Sequence, residues 1–331
     1  MDTLLKIVKL TRPLNLAIIA LTMWLMMAFV LRPFVQVNQF ELQLPDLYFW
    51  LLVLSTVLIA AAGNVINDYF DQRTDRINKP RDIIVGVHVK RRVAMFVHQL
   101  FNIIGLGIAV FISWKVGIWK LSIIHFFAAG SLWFYSVQFK RELIIGNVLV
   151  ALLAAMVPVL VGIYEIPLLI REYGADVAQL FKHLYPGEDP AVYFKYMFYF
   201  IFGYAAFAFM LNLIREIQKD MADVKGDRRI GSQTIPLVFG IKNAKRITAA
   251  LIVLSMIGLL IIQQMVVNDL VSLIYLIVAV FVPLSISLYI NHYAVRRPEF
   301  VRAGNAVKIA MLGGLLYSIV HYYVYFAADI A

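Results

Sequence analysis

The chain has 331 residues, of which 62% are hydrophobic and 15% charged, with a formal net charge of +10 and no cysteine. A soluble domain cannot bury so much apolar surface, and the mean hydropathy of +0.81 indicates a polytopic membrane protein. The lack of cysteine excludes disulfides, zinc–thiolate sites and a cysteine nucleophile. A charge of +10 also fits a nucleic-acid-binding protein, but positively charged membrane loops explain it better, so we expect no nucleic-acid partner.

Nine apolar runs are long enough to predict membrane-spanning helices. The first run is long for a signal peptide and has no clear small-x-small cleavage site after it, so we expect a retained span. The predicted fold is an all-α, polytopic membrane helical bundle with about nine transmembrane helices, which form a single domain over residues 1–331. The longest outward loop is predicted at about 165–192, with room for a short helix. The runs lie near residues 14–31, 47–67, 93–113, 118–139, 143–164, 193–214, 247–267, 270–291 and 307–327.

Basic residues are distributed very unequally between the two sides of the predicted bundle. The N-terminal segment and the even-numbered loops hold 24 of the 30 Lys and Arg residues, and the other side holds 6. Basic loops stay on the cytoplasmic side of a membrane. We therefore expect an integral protein of the cell (inner) membrane, with its N-terminus and even-numbered loops in the cytoplasm.

Two rows of aspartates with the same spacing follow the second and sixth predicted spans, both on the predicted cytoplasmic side. Offsets of 0, 3 and 7 place the three carboxylates of a row on one face of a helix. Like charges held this close repel each other unless a cation lies between them. We refer to them as the first and second aspartate rows. The rows are Asp68, Asp71 and Asp75, and Asp220, Asp223 and Asp227.

The rows and the basic loops after them predict a site for a divalent metal and a polyanion. Mg²⁺ takes carboxylate oxygens and completes its shell with water and substrate phosphates, while Arg and Lys bind the remaining phosphate oxygens. A diphosphate held in this way becomes a better leaving group. The alternative is that the rows are solvated helix ends with ordinary surface acids. Two matching rows on one side, each followed by a basic loop, favour the metal site.

Other polar residues near the rows have two interpretations each. Asn64 and Asn67 could supply oxygen ligands or make interhelical hydrogen bonds, as could Asn212 and Glu216. Three basic residues could touch phosphate or anchor the chain at the membrane surface. These are Arg12, Lys140 and Arg141.

The motif Asn67-Asp68-x-x-Asp71-x-x-x-Asp75 resembles the first aspartate-rich motif of the UbiA family of intramembrane prenyltransferases. Asp223-x-x-x-Asp227 resembles the second, with Asp220 as an added acid. The resemblance covers most of the chain. It implies a helical bundle around a central cavity that opens sideways to membrane lipid. It also implies Mg²⁺-dependent transfer of a prenyl group from a polyprenyl diphosphate to a lipophilic acceptor.

The resemblance also implies roles for individual residues. The central acids of catalysis would be Asp71, Asp75, Asp223 and Asp227. The metal ligands would be Asn67, Asp68, Asp71, Asp75, Asp220, Asp223 and Asp227. The substrate would be bound by Asn64, Arg76, Lys79, Lys140, Arg141 and Arg228. Cytoplasmic cap loops near 69–92 and 217–246 would close over the diphosphate.

The wording of residues 215–227 is most similar to the branch of the family that alkylates geranylgeranylglyceryl phosphate, so we predict geranylgeranyl transfer to that acceptor in ether lipid synthesis. The first loop departs from the family pattern, because Arg81–Gly86 lacks the usual acid–Arg–Pro continuation. Aromatic acceptors, as in quinone or haem biosynthesis, remain an alternative. A membrane transporter is an alternative of another class, but acids at span ends beside basic loops favour the enzyme.

Overall fold

The computed structural model describes residues 3–327, and all long elements in this range are helices. A helix pairs its own backbone polar groups, as a lipid environment requires. Within the described range there is no extended strand, and one β-bridge joins Val85 to Val89. The helices are α1 (Thr3–Leu10), α2 (Pro13–Gln36), α3 (Asp46–Phe70), α4 (Gln72–Asn78), α5 (Arg91–Lys115), α6 (Ser122–Val137), α7 (Ile145–Leu184), α8 (Ala191–Arg229), α9 (Ile235–Val238), α10 (Gly240–Val267), α11 (Leu270–Tyr293) and α12 (Arg297–Tyr325).

Eight helices of the described range are long and apolar enough to cross a membrane, namely α2, α3, α5, α7, α8, α10, α11 and α12. A further helix, α6, has 16 residues and lies where the fourth span was predicted. The prediction of an all-α membrane bundle with about nine helices is confirmed. Large apolar side chains cover the outside of the bundle; Trp114 and Met265, for example, are exposed. Such a surface suits lipid, and the chain is an integral membrane protein.

Two helices extend much further than their apolar runs predicted. The predicted spans 143–164 and 193–214 belong to α7 and α8, which have 40 and 39 residues. The predicted outward loop at 165–192 is wrong, because α7 continues to Leu184 and α8 begins at Ala191. A helix of that size is about 60 Å long, roughly twice the hydrocarbon thickness of a bilayer. Hydropathy marks where the chain leaves lipid, whereas the helix continues past that point.

The first aspartate row is interrupted, in contrast to the single helical face that its spacing predicted. Helix α3 ends at Phe70, and Asp71 has φ −78° and ψ −3° at the junction with α4. The amide of Asp75 still donates to the carbonyl of Asp71 at 2.8 Å, so the turn continues across the break. The second row lies within α8, as predicted. Because α8 runs to Arg229, the connection after it is also shorter than the predicted loop at 217–246.

The largest of four buried apolar clusters lies at the end of the bundle away from the aspartate rows. Met23, Leu52, Tyr164 and Met197 are fully buried there, and the Tyr164 hydroxyl shares a hydrogen bond of 2.8 Å with Ser113. Helix α7 packs along α8, α3 packs along α5, and α12 packs against α8. Smaller apolar clusters lie nearer the rows, and a cavity remains inside the bundle.

Glu165 of α7 holds the connection between α2 and α3 against the bundle. Its buried carboxylate accepts hydrogen bonds from the backbone amides of Gln43 at 2.6 Å and Leu44 at 2.9 Å. Backbone donors that are removed from water need such partners. Glu165 therefore has a structural role at the end of the bundle opposite the rows.

Candidate active site

The structure brings the two aspartate rows together at one end of the bundle. Asn78, at the end of α4, donates its side-chain amide to the carbonyl of Asp223 at 3.1 Å and accepts from the amide of Gly226 at 3.0 Å. A Cβ on Gly226 would lie 2.5 Å from Asn78 Nδ2, closer than side-chain carbons are found. Glycine at this position therefore lets α4 approach the backbone of α8, and a single asparagine joins the segments that carry the rows.

Cations and an amide surround the first row. Arg12 Nη2 lies 2.6 Å from Asp68 Oδ1, and Lys140 Nζ forms an ion pair with the Asp71 carboxylate. Asn67 donates to Asp71 Oδ2 at 2.8 Å, and Lys140 donates to Asn67 Oδ1 at 3.5 Å. The start of α2 and the segment after α6 thus converge on the end of α3.

The backbone at the start of α2 is shaped so that Arg12 reaches the row. Arg12 has φ 56° and ψ 64°, a left-handed conformation that is uncommon for a residue with a side chain. Asn64 donates to the carbonyl of Thr11 at 2.9 Å and so fastens this turn to α3. Asn64 is therefore placed one turn before Asp68, where its amide supports the turn that carries Arg12.

The surrounding charges shift the pKa values of Asp71 and Asp75 in the first row in opposite directions. Burial would raise the pKa of Asp71, but the charge and hydrogen bond of Lys140 outweigh it and hold that pKa below its ordinary value. The pKa of Lys140 is raised: burial would lower it, but the Asp71 charge prevails. Burial and then the Asp71 charge raise the pKa of Asp75, which has no hydrogen-bonded cation within residues 3–327. Asp75 is the acid of this row that most needs a further positive charge.

Among the described residues, the second row has fewer hydrogen-bond and ion-pair partners than the first. Asn147 of α7 donates to Asp220 Oδ2 at 2.8 Å. Arg297 Nε lies 3.5 Å from Asp223 Oδ1 without making a hydrogen bond, and both atoms are buried without a partner in the described part of the chain. Asp227 is buried beside them. This row retains acceptor capacity that protein donors do not satisfy.

The donor set fits a hard divalent cation such as Mg²⁺. Its members offer carboxylate and amide oxygens, which are the ligands this ion takes. Among the described residues, Asp223 Oδ1 is a buried acceptor without a hydrogen bond, and no cation forms a hydrogen bond with Asp75. As the side chains stand between residues 3 and 327, no three acids or histidines converge on one point. Instead, Arg12 and Lys140 neutralise two of the carboxylates.

The other residues predicted to bind substrate lie around the rows and not on them. Arg76 is exposed on α4, Lys79 follows α4, and Arg141 and Arg228 are exposed on the segments after α6 and at the end of α8. The backbone carbonyl of Arg141 accepts from the amide of Gln233 at 2.8 Å, which ties two of these segments together. Of the predicted set, Lys140 touches a row directly.

Sequence reasoning named Glu216 but not the buried ionic cluster that this residue forms one turn before the second row. Glu216 accepts from Arg215 Nη2 at 2.7 Å and from Lys219 Nζ at 3.0 Å, and it is 2% exposed. Sequence reasoning also missed Asn78 and Arg297. A polar residue inside an apolar span is a usable signal, and it applies to Glu216. Asn78 carries no such signal, because it looks like any turn asparagine.

A cavity of ≈ 320 Å³ lies in the membrane-spanning part of the bundle and reaches Asn64 and Arg215, which precede the two rows on α3 and α8. Helices α2, α3, α6, α7, α8 and α12 enclose it, so the predicted central cavity is present. Apolar side chains form most of its wall, with His125 and Tyr204 at a distance from the rows. The polar residues nearer the rows are Asn15, Asn64, Asn212, Arg215 and Lys308.

The sequence model of the UbiA prenyltransferase family matches residues 19–312, a range that includes both rows. The chain belongs to the UbiA prenyltransferase family. The resemblance found from the two motifs is thereby confirmed, and the cavity and the rows belong to a member of that family.

Curated relatives in the UbiA family include digeranylgeranylglyceryl phosphate synthases. The protein from Pyrococcus abyssi is 32% identical over 208 residues, which are 62% of each chain. The protein from Pyrococcus horikoshii is 33% identical over 59% of this chain and 57% of the relative. The protein from Methanosphaera stadtmanae is 25% identical over 78% of this chain and 82% of the relative. The chain thus spans less than two thirds of the two Pyrococcus proteins.

Solved structures share the fold. One, from work on digeranylgeranylglyceryl phosphate synthase in membranes, has a TM-score of 0.59 at 22% identity and covers 97% of this chain and 99% of that chain. A UbiA homologue from Archaeoglobus fulgidus, bound to GPP and Mg²⁺, has a TM-score of 0.54 at 16% identity and covers 95% and 99%. At these identities the likeness establishes the fold of the bundle.

Proposed function

We propose that this chain transfers a geranylgeranyl group from geranylgeranyl diphosphate to geranylgeranylglyceryl phosphate, with Mg²⁺ as cofactor. The main support is the meeting of two aspartate rows, joined through Asn78, on the same helices that enclose a largely apolar cavity. Family membership and the printed names of the curated relatives support the reaction class and the acceptor. The metal in the Archaeoglobus fulgidus homologue supports the cofactor.

The first row with Asn67 would hold one Mg²⁺ ion, and the second row would hold another. Bound Mg²⁺ would stabilise the negative charge that develops on the leaving diphosphate. Lys140 and Arg12 would bind phosphate oxygens once a metal neutralises their present partners. Arg76, Lys79, Arg141 and Arg228 would add to the positive field above the rows, as parts of caps near 69–92 and 217–246.

The apolar cavity would hold the prenyl chain and keep water from the reacting carbon. The bond between the allylic carbon and the diphosphate oxygen breaks, and its electron pair leaves with the diphosphate. The free hydroxyl oxygen of the acceptor forms the new bond to that carbon, and its proton is lost to water. Exclusion of competing water matters here, because water would capture the same allylic carbon.

The proposal includes an orientation of the chain in the membrane. The uneven distribution of Lys and Arg supports a cytoplasmic location for the N-terminus and both rows. A diphosphate donor made in the cytoplasm would then reach the site without crossing the bilayer. The whole chain would act as one transmembrane domain in the cell membrane.

The test uses the detergent-purified protein with Mg²⁺ and radiolabelled geranylgeranyl diphosphate. Geranylgeranylglyceryl phosphate and 4-hydroxybenzoate are offered in separate reactions. We expect a labelled ether lipid from the first acceptor and none without Mg²⁺. Asp176→Asn, which changes an exposed acid at the opposite end, should react like the unmodified protein. Intact diphosphate with both acceptors would refute the proposal, and product from 4-hydroxybenzoate alone would refute the acceptor.

A further inference from the structure

Two basic side chains in the cavity wall make no hydrogen bond or ion pair with either aspartate row within residues 3–327. Arg215 of α8 and Lys308 of α12 line the cavity together with the amides of Asn15, Asn64 and Asn212. The rest of the wall is mostly apolar. A charged side chain inside a membrane protein is costly unless it faces a wet or ligand-filled space and finds a partner.

Arg215 and Lys308 form a basic patch, which lies deeper in the bundle than the rows. Helices α8 and α12 run in opposite directions, since Arg297 meets Asp223 while Gly304 lies beside Arg215. Arg215 precedes Asp223 by eight residues, which is about 12 Å along α8. Lys308 follows Arg297 by eleven residues, about 16 Å along α12. The two cations are therefore offset toward the membrane interior from the place where a diphosphate would bind.

The patch carries an excess of positive charge. Arg215 and Lys219 share the single negative charge of Glu216. Lys308 has no hydrogen-bonded or ion-paired acid within residues 3–327. Arg215 Nε is buried and has no hydrogen-bond partner in the same range. Lys219 also lies in the field of Asp71 and Asp223, so the cations that belong to the cavity wall itself are Arg215 and Lys308, with at least one unused donor between them.

An anion with two negative charges could pair with both Arg215 and Lys308. A phosphate monoester carries about −1.5 to −2 charges at neutral pH, whereas a carboxylate carries one. An Arg and a Lys together suit phosphate oxygens, through the guanidinium plane and the ammonium point charge. The amides beside them supply further donors. The apolar wall would accommodate a hydrocarbon tail attached to such a headgroup.

We propose that Arg215 and Lys308 bind the phosphate of the acceptor, and that they select a phosphate-monoester lipid over a neutral or a carboxylate acceptor. This inference rests on the proposed prenyl transfer. Anchoring the phosphate here leaves the neighbouring free hydroxyl of the acceptor between the patch and the rows, where the reacting carbon of the donor would lie. Acceptor choice then depends on a headgroup site separate from the diphosphate site.

Binding can be measured without any chemistry. Isothermal titration calorimetry of the detergent-purified full chain, without Mg²⁺ or donor, is run with geranylgeranylglyceryl phosphate, with its uncharged counterpart geranylgeranylglycerol, and with 4-hydroxybenzoate. The variants are Lys308→Met and Arg215→Met. Arg302→Met is the matched control, because it removes a positive charge from the exposed face of the same helix α12 outside the cavity.

We expect the unmodified protein to bind the phosphorylated lipid at least about tenfold more tightly than the uncharged one, which corresponds to one hydrogen bond to a charged group. Lys308→Met and Arg215→Met should each weaken binding of the phosphorylated lipid by about tenfold or more, with the uncharged lipid unaffected. Arg302→Met should change neither. Equal affinity for the two lipids, or unchanged affinity in Lys308→Met, would overturn the proposal. Tighter binding of 4-hydroxybenzoate than of the phosphorylated lipid would also overturn it.

A parallel transfer assay separates this inference from the proposed function. If the donor stays intact while the phosphorylated lipid binds through Arg215 and Lys308, the transfer fails and the headgroup site stands. If the donor is consumed normally while the two variants bind acceptor unchanged, the headgroup site fails and the transfer stands. We expect Lys308→Met to raise the KM for the acceptor and to leave the KM for the donor unchanged.

Discussion

Replacement of Gly226 by alanine tests whether the contact between α4 and α8 holds the two aspartate rows together. In a helix interior, Gly→Ala normally stabilises the protein by about 1 kcal/mol. At Gly226 the new Cβ would lie 2.5 Å from Asn78 Nδ2 and 2.8 Å from its Oδ1 and Cγ. Asn78 would have to turn away, and its hydrogen bonds of 3.1 Å and 3.0 Å to the α8 backbone would be lost.

Each of those hydrogen bonds is worth about 0.5–1.5 kcal/mol, so about 1–3 kcal/mol of positioning free energy is at stake. Since 1.4 kcal/mol corresponds to tenfold, we expect Gly226→Ala to lower turnover by about tenfold to a hundredfold. Gly203→Ala is the matched control, because Gly203 lies on the same helix and its Cβ would meet nothing within 4 Å. That variant should keep full turnover and unfold at a slightly higher temperature.

A double-mutant cycle shows whether the clash with Asn78 causes the loss of turnover in Gly226→Ala. Asn78→Ala removes the same two hydrogen bonds without a clash, so Asn78→Ala/Gly226→Ala should be no slower than Asn78→Ala alone. Turnover is measured with labelled geranylgeranyl diphosphate, and folding by thermal unfolding in detergent. Additive effects of the two substitutions, or identical behaviour of Gly226→Ala and Gly203→Ala, would refute the reasoning.

Three further substitutions have distinct expected outcomes. Lys140→Met removes the cation beside Asp71 and should destabilise the metal-free protein by about 2 kcal/mol, with Mg²⁺ restoring part of it, as measured by thermal unfolding with and without the ion. Asn147→Ala removes a donor to a carboxylate of the second row and should slow turnover by about tenfold, and an unchanged rate would contradict that role. Glu165→Ala leaves two backbone donors unpaired at the opposite end and should lower stability by about 2–4 kcal/mol, while the folded fraction keeps its turnover.

The bundle itself was predictable because lipid imposes a simple rule on sequence. A spanning helix needs about 20 apolar residues, so spans such as α3 and α11 follow directly from hydropathy. The ends of α7 and α8 did not follow, because charged residues after an apolar run are compatible with either a loop or a continuing helix. The interruption of the helix at Asp71 was not predictable either, because residues spaced with a 3.6-residue period do not show where a helix is interrupted.

Sequence patterns pointed to the acids of the candidate site, whose roles stay predictions, and to few of the partners of those acids. The spacing of the rows and their basic loops pointed to Asp71 and Asp223 without any structure. The ion pair of Arg12 with Asp68 joins residues 56 positions apart, and Asn78 meets α8 across 148 positions. Contacts of that separation depend on how helices pack, which local sequence patterns do not contain.

Metal-dependent turnover of row variants tests the central claim, that the two rows act together on a prenyl diphosphate. Transfer of labelled geranylgeranyl is measured across a Mg²⁺ titration for the unmodified protein, Asp71→Ala, Asp223→Ala and the control Asp176→Asn, with chelator as the zero point. The account predicts Mg²⁺-dependent product from the unmodified protein and the control, and none from either row variant, although all four unfold cooperatively. Near-normal turnover in both row variants would contradict it.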